Sequence, residues 1–206
     1  MKKRIFSLVL TLVMCLGLSI PVSAYSTGKV GQANTVSAGG ASTGRIDKNG
    51  SLWMWGDNSY YQLGNLVSGN SQTVPIKVMD KVVSVSCSPG NTAAIKTDGS
   101  LWVWGLYSKH EDGPAKVMDN VVAVSCSSGN TAAIKTDGSL WMWGDNSLGQ
   151  LGNGSSGDSS VPVKVMGDAV AVSCGDGFTA AIKTDGSLWM WGNKQQRRDG
   201  KWRGGQ

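Results

Sequence analysis

The sequence predicts an all-β fold in which small four-stranded sheets stand radially around an axis, a β-propeller, with about three and a half to four blades present. Three observations predict it. A block of the type TAAIKTDGSLWxWG recurs almost unchanged at 92–105, 131–144 and 179–192, and a degenerate copy runs from 42 to 56. A second block of the type VSVSC precedes each copy at a constant distance. The strand LWMWG is apolar on both faces, so a neighbouring sheet must cover it on each side.

The first 24 residues are predicted to be a secretory signal peptide. A basic start with Lys2, Lys3 and Arg4 leads into an apolar run and then into the small-residue site Val22-Ser23-Ala24. This order is typical of an exported chain that is cleaved after Ala24. A membrane anchor is the alternative, but the apolar run is shorter than the ~20 residues that a spanning helix needs. We therefore expect a secreted or cell-surface protein with no membrane span after cleavage.

The formal net charge of +5 belongs to the two ends of the chain. Five bases lie in the tail at 194–206, and without both ends residues 25–193 carry a net charge of −2. A basic groove for nucleic acid is therefore not expected. The tail departs from the repeat pattern. It is interpreted as the product of a truncated or shifted reading frame, with a basic interaction tail as the alternative.

The repeats divide residues 25–193 into units at about 33–80, 81–119, 120–167 and 168–193. Within each unit the small residue at the end of the first block lies 15 positions before the first Trp of the Trp-x-Trp pair. The segment between the second Trp and the following Pro varies as 20, 10 and 19 residues. One connection of variable length on a constant frame is typical of a surface loop that carries function.

Each unit is read as four strands. The first is of the type VVSVSC, with Val83, Val85 and Cys87 on one face. The second is TAAIK and the third is LWMWG, with both tryptophans on one face. The fourth is entered through Pro75, Pro114 or Pro162, a position that an edge strand tolerates. The tryptophans of the third strands are predicted to pack between blades. These are Trp53, Trp55, Trp102, Trp104, Trp141, Trp143, Trp189 and Trp191.

Asn-Gly or Asp-Gly pairs are predicted to form tight hairpins between the second and third strands, because such turns favour residues that accept positive φ. The turn glycines are Gly50, Gly99, Gly138 and Gly186. A calcium site is the alternative interpretation of the turn aspartates, but no further acids follow at ligand spacing.

The ordered blocks resemble the repeats of the regulator-of-chromosome-condensation family over about residues 33–193. Residues 144–152 carry the full Gly-Asp-Asn loop that ends in Gly-Gln-Leu-Gly. Residues 56–64 carry it with Tyr60 and Tyr61 in place of Leu148 and Gly149, and the second unit has lost it. The resemblance implies a partial arc of a seven-bladed propeller and a truncated, secreted bacterial member of the family.

The nuclear member of this family promotes nucleotide exchange on a small GTPase through loop residues that include a histidine. The family histidine before the Thr of the second strand is replaced here in every unit, by Ser42, Asn91, Asn130 and Phe178. That activity therefore cannot be carried over residue by residue. The only histidine, His110, lies beside acids in the shortened second loop, where a solvated side chain is expected. The sequence predicts no catalytic site, cofactor or metal.

Cys87, Cys126 and Cys174 occupy the position that Ala38 fills in the first unit. A residue interchangeable with alanine on a valine-rich strand is expected to be a small buried side chain, here a free thiol. A disulfide between neighbouring blades and a metal held by three thiolates remain as alternatives.

Tyr60, Tyr61 and Tyr107 lie in the variable connections and are the candidate partner-binding residues, since tyrosine is enriched at interfaces. The sequence therefore predicts an exported, non-enzymatic module that binds another protein. The family resemblance makes an inhibitor of an enzyme one form of it. Guanine-nucleotide exchange and binding of cell-wall glycan are the alternatives. Because the arc exposes its two outermost blade faces, self-association that completes the propeller is also expected.

Overall fold

The computed structural model describes residues 35–65, 71–106 and 113–193, and within them the chain is all-β, as predicted. The predicted signal peptide and the basic tail lie outside the described residues. Four antiparallel sheets follow one another in the described ranges and are called blades one to four. The described residues contain no helix that is long and apolar enough to cross a bilayer.

The strands of each blade follow the order of the sequence. Blade one contains β1 (Thr35–Gly39), β2 (Ser42–Ile46), β3 (Leu52–Gly56) and β4 (Gln72–Met79). Blade two contains β5 (Val82–Cys87), β6 (Asn91–Lys96), β7 (Leu101–Gly105) and β8 (Ala115–Met118). Blade three contains β9 (Val121–Cys126), β10 (Asn130–Lys135), β11 (Leu140–Gly144) and β12 (Ser159–Met166). Blade four contains β13 (Ala169–Cys174), β14 (Phe178–Lys183) and β15 (Leu188–Gly192).

The blades stack in chain order through their first two strands. β5 packs against β1 and β2, β9 against β5 and β6, and β13 against β9 and β10. Among the described residues no contact of comparable extent joins blade one to blade four. The four sheets therefore form an open arc of a propeller, which confirms the predicted fold.

Each blade has two different faces. The forward face, turned toward the next blade, carries the Leu and the Met or Val of the third strand, as Leu52 and Met54 do in blade one. The backward face, turned toward the preceding blade, carries the Trp pair with the Cys and the Ala of the first two strands, as Trp104, Cys87 and Ala94 do in blade two. Strand alternation separates the two sets, because successive side chains point to opposite faces.

The core consists of three similar clusters, one in each gap between blades. Leu52 and Met54 of blade one pack against Val85 of blade two, and both are fully buried. The next two gaps repeat this pairing of a forward with a backward face. Burying one such Leu or Val side chain stabilises the fold by about 1.5–3 kcal/mol. The interfaces between blades, rather than any single sheet, therefore contain most of the apolar core.

A ladder of hydrogen bonds reinforces the first strands. In each gap a serine hydroxyl of one blade accepts the backbone N–H of the cysteine in the next, at a distance of 3.0 Å in all three cases. The pairs are Ser37 with Cys87, Ser86 with Cys126 and Ser125 with Cys174. The serines before Ala38, Cys87 and Cys126 thus extend the sheet-to-sheet contact with a directional bond.

The assignment of Val83 to the face of Val85 and Cys87 is wrong. The register of β5 against β6 shifts between Val82 and Ser84, and this irregularity breaks the simple alternation. Val82 therefore packs with Val85 and Cys87 in the first gap, whereas Val83 packs in the second gap. A bulge of this kind moves one residue to the opposite face.

The turn between the second and third strands is a three-residue hairpin. In blade two the N–H of Lys96 donates to Ser100 O and the N–H of Gly99 donates to Lys96 O. Gly99 has φ = 77°, while Asp98 is not among the residues with positive φ. This is the turn in which a glycine in the left-handed region closes a bulge, and Gly50, Gly138 and Gly186 have the same conformation.

The Trp-x-Trp-Gly motif requires glycine at its last position for a steric reason. Gly105 has φ = 107°, and a Cβ built on it would lie 2.2 Å from the carbonyl oxygen of Gly90. That carbonyl accepts the N–H of Leu106, which ties the end of the third strand to the start of the second. A side chain would force these two backbone segments apart.

We predict that Gly105→Ala lowers the free energy of unfolding by about 3 kcal/mol or more, since it combines a strained φ with overpacking against backbone. Gly167→Ala is the matched control, because a Cβ at Gly167 meets no atom within 4 Å. It should be neutral or stabilise by up to about 1 kcal/mol. Urea unfolding of both variants measures this. Equal stability of the two variants would show that the motif glycine is not required by the backbone contact.

Candidate partner-binding face

The loops that follow β3 and β11 are built on buried asparagines. The Asn58 side-chain oxygen accepts the N–H of Leu63, and the Asn146 oxygen accepts the N–H of Leu151. Both leucines are fully buried in the gap to the next blade. The loop is therefore anchored from inside, because a buried amide that satisfies a backbone N–H fixes the chain around it.

The same loops hold the following blade. The carbonyl oxygen of Gln62 accepts hydrogen bonds from Trp104 Nε1 at 2.9 Å and from Thr92 Oγ1 at 2.8 Å. In the third gap the carbonyl oxygen of Gln150 accepts hydrogen bonds from Trp191 Nε1 at 2.8 Å and from Thr179 Oγ1 at 2.9 Å. The second Trp of a pair is thus bonded by the Gln-Leu-Gly loop of the preceding blade. We call this contact the loop clamp.

The clamp fixes the exposed tip of the loop. The Gln62 side chain accepts the N–H of Tyr60 at 2.8 Å and donates to the Asp57 carboxylate at 2.8 Å. Hydrogen bonds from Ser59 and Gln62 lower the pKa of Asp57, so this carboxylate stays ionised at neutral pH. The backbone of Tyr60 is therefore held in place by hydrogen bonds, while the residue itself is 46% exposed.

Leu106 stands beside Tyr60 on this surface. A Cβ built on Gly90 would lie 3.5 Å from Cβ of Leu106 and 3.7 Å from Cδ2 of Tyr60. The side chains of Leu106 and Tyr60 therefore both lie next to Gly90. Leu106 is 51% exposed. The pair forms an apolar patch on the loop side of the arc, which we call the Tyr60–Leu106 patch. Sequence reasoning missed Leu106. The signal in the sequence is an apolar residue at the position that Asp57 and Asp145 occupy in blades one and three.

Tyr61 and Tyr107, the other two candidate binding residues, differ from Tyr60. Tyr61 is half-buried and has φ = 59°, in the left-handed region, at the position where Gly149 has φ = 77° in blade three. It is therefore a strained residue of the loop frame. Tyr107 lies outside the described residues. Leu148, the counterpart of Tyr60, is also exposed, and it lies against Gly177 without an apolar neighbour like Leu106.

At the opposite end of the blades the first Trp of each pair is half-buried and hydrogen-bonded. In blade two Trp102 Nε1 donates to Ser100, and Ser100 donates to the Asp98 carboxylate. The Ser100 bond lowers the pKa of Asp98. Lys96 covers the ring at 5.3 Å from its centroid, and blades three and four repeat both features. Such cation–π contacts occupy the ring face that a sugar would need for stacking.

The three cysteines of the described residues are free thiols. Cys87 and Cys126 are buried and Cys174 is half-buried. Burial raises the pKa of Cys87 to about 11 and those of Cys126 and Cys174 to about 12. Because the thiolate is the reactive form, these groups are inert at neutral pH. In the described part of the chain no group of three or more potential ligands is placed to hold a metal ion.

Comparison with known proteins agrees with this architecture of repeated propeller blades. Two family models, both described as Regulator of chromosome condensation (RCC1) repeat, match residues 49–95 and 137–182 in one case and 121–150 and 169–196 in the other. Together they cover more than half of the chain. The protein belongs to the RCC1 repeat family. No curated protein sequence matches it significantly.

Solved structures show the same fold. Human WBSCR16 is 23% identical with a TM-score of 0.68, and the match covers 76% of this chain and 46% of that one. Yeast RCC1 (Prp20), solved with Kap60, is 20% identical with a TM-score of 0.68, covering 77% and 43%. Prp20p from Saccharomyces cerevisiae, described with its binding to Gsp1p and histones, is 20% identical with a TM-score of 0.64, covering 71% and 42%. The chain spans less than half of the length of these structures.

The strain at Tyr61 predicts a stability change. Tyr61→Gly should raise the free energy of unfolding by about 1 kcal/mol, since the left-handed region costs other residues about 1–2 kcal/mol. Gly149→Tyr is the reciprocal variant. A Cβ at this position meets no atom within 4 Å, so the backbone strain at φ = 77° is the only cost, and stability should fall by a similar amount. Thermal unfolding of both variants tests this. A loss of stability in Tyr61→Gly would mean that the ring contacts outweigh the strain.

The raised thiol pKa values predict a loss of stability in alkali. In the unfolded chain a thiol has a pKa near 9, so above pH 9 the unfolded state releases protons that the folded state keeps. The free energy of unfolding therefore falls by about 1.4 kcal/mol per pH unit for each thiol. The variant Cys87→Ala/Cys126→Ala/Cys174→Ala should be less stable at pH 8, by about 1 kcal/mol per site. It should approach or pass the wild type by pH 11. Parallel pH profiles of the two proteins would contradict the buried state of the thiols.

Proposed function

We propose that this chain is an exported, non-enzymatic propeller module that binds another protein through the Tyr60–Leu106 patch. Propellers of this family are typically binding or regulatory modules, and the solved structures compared above include one with a protein partner, Kap60. The observation that supports the patch is the exposed Tyr–Leu pair beside Gly90, on a loop that the clamp holds rigid.

The chemistry of the patch fits a protein partner. Tyrosine offers a large apolar surface and a hydroxyl at a low entropic cost, and it is enriched at protein interfaces. The bond from Tyr60 N–H to the Gln62 side chain and the clamp at Gln62 O fix the backbone before binding. Preorganisation of this kind increases affinity because less freedom is lost on association.

The two alternative functions have weaker support. Binding of glycan by a ladder of tryptophans conflicts with the buried second Trp of blades two and three and with the lysines that cover the first. Nucleotide exchange rests on the resemblance alone. Inhibition of an enzyme is one form of the proposed function, in which the bound partner would lose activity on addition of the chain.

The patch is tested with immobilised wild-type chain and the variant Tyr60→Ala/Leu106→Ala, to which the proteins of the extracellular fraction are applied. The protein retained by the wild type is then titrated by calorimetry. The double variant should bind at least about tenfold more weakly, since truncating an interface hot spot costs about 2 kcal/mol or more. Its stability should change little, because both side chains are half exposed.

Leu148→Ala is the matched control, since Leu148 is as exposed as Tyr60 and occupies the same loop position in blade three. It should bind like the wild type. Equal loss in both variants, or full binding by the double variant, would contradict the patch. Export is tested separately by the N-terminal sequence of the native protein, which should begin at Tyr25. A cytosolic protein with an intact N-terminus would contradict it.

A further inference from the structure

The forward face of blade four is exposed, although its counterpart in blade three is buried. Residues 131–144 and 179–192 have the same sequence, so the second and third strands of the two blades carry the same side chains. Leu140 is fully buried, but its equivalent Leu188 is 61% exposed. Ile134 is likewise buried, and its equivalent Ile182 is exposed.

The backward face of blade one is exposed in the same way. Val36 is 65% exposed, whereas the valines at the same position of the other blades, Val85, Val124 and Val172, are buried. Ala38, which stands where Cys87 and its equivalents lie, is also exposed. The arc therefore ends in one forward face and one backward face.

These two faces are the two halves of a contact that occurs three times inside the chain. In every internal gap a forward face packs against a backward face. In the internal gaps, the surface equivalent to that of Leu188 is covered by the backward face of another blade of this chain. The exposed backward face is that of blade one, so a second copy supplies the complement.

The serine ladder has the same polarity. Ser37, Ser86 and Ser125 each accept an N–H from the next blade, and Ser173 is the next member of the series. Ser173 is exposed, while Ala38 occupies the position whose N–H is bonded in the later blades. Within the described residues, blade four of one copy and blade one of another therefore carry the two halves that would continue this directional bond.

We propose that the forward face of blade four binds the backward face of blade one of a second copy, head to tail. Such a contact is heterologous, and it gives a ring if the rotation closes and an open array if it does not. In the described residues blade four is a sheet of three strands. Three strands spaced about 4.8 Å apart and about five residues long cover only roughly 240 Å² in projection. A typical specific interface buries about 800 Å² on each partner. A single contact is therefore weak and depends on concentration.

Arg45 lowers the affinity of this contact. It stands on the backward face of blade one where Ala94, Ala133 and Ala181 are buried in the internal gaps. A guanidinium brought against Leu188 and Ile182 loses hydration, and this costs free energy unless the side chain reaches water. Arg45→Ala makes the end face similar to the internal ones, so it should strengthen association several-fold.

Sedimentation velocity over a range of concentrations tests the proposal. The mass of the wild-type chain should rise with concentration, while Leu188→Asp and Val36→Asp should each remain monomeric. Val161→Asp is the matched control, because Val161 is as exposed as Leu188 but lies on the outer strand β12 of blade three. It should associate like the wild type. Circular dichroism confirms that the variants are folded, which is expected since the substituted positions are exposed.

An equimolar mixture of Leu188→Asp and Val36→Asp decides the polarity. One variant keeps an intact blade-one face and the other keeps an intact blade-four face, so the mixture should form dimers that neither variant forms alone. A monomeric wild type at every concentration, dimers of Val36→Asp alone, or a monomeric mixture would each overturn the proposal. Tyr60→Ala should associate normally, and this separates failure of self-association from failure of the proposed partner binding.

Discussion

The packing of a forward face against a backward face is the contact on which the rest of the molecule depends. Each blade is a thin sheet that is apolar on both sides, and alone it would expose its Leu and Trp residues to water. Neighbouring blades remove these surfaces three times along the chain, with a serine hydroxyl and, in two gaps, a loop clamp in support. Repeat proteins of this kind derive stability from each unit and from its interfaces with its neighbours.

The same contact positions the candidate site. The Gln62 carbonyl binds Trp104 of the next blade, and the Gln62 side chain holds the backbone of Tyr60. The loop that carries the exposed ring is thereby part of the interface between blades one and two. Leu106 enters the patch from blade two, at the point where that blade departs from the Gln-Leu-Gly pattern. The patch is therefore composed of two blades, and it exists only when they are packed together.

The repeated blocks were sufficient to predict the fold, because strand alternation and the doubly apolar third strand leave few other arrangements. They were insufficient where geometry departs from alternation. The bulge near Val83 depends on the pairing of β5 with β6, which no single strand reveals. In blades one and three the fourth strand begins three residues before its proline, at Gln72 and Ser159. The strand tolerates the proline because it lies on the outer edge of the sheet. Tyr60 was found from its loop, whereas Leu106 became visible only when folding placed it beside Gly90.

Hydrogen exchange measured by NMR tests most directly whether coverage by a neighbouring blade stabilises each sheet. Strands β10 and β14 share the sequence TAAIK, and each is paired on both edges, so intrinsic exchange rates and backbone pairing are matched for Ala132–Lys135 and Ala180–Lys183. Blade three is covered on both faces, while blade four has an exposed forward face. Blade three also has a fourth strand, but this strand pairs with β11 and not with β10. At a concentration where the chain is monomeric, the amides of β14 should exchange at least about tenfold faster, a difference of ~1.4 kcal/mol in opening free energy. Equal protection of the two strands would contradict the account.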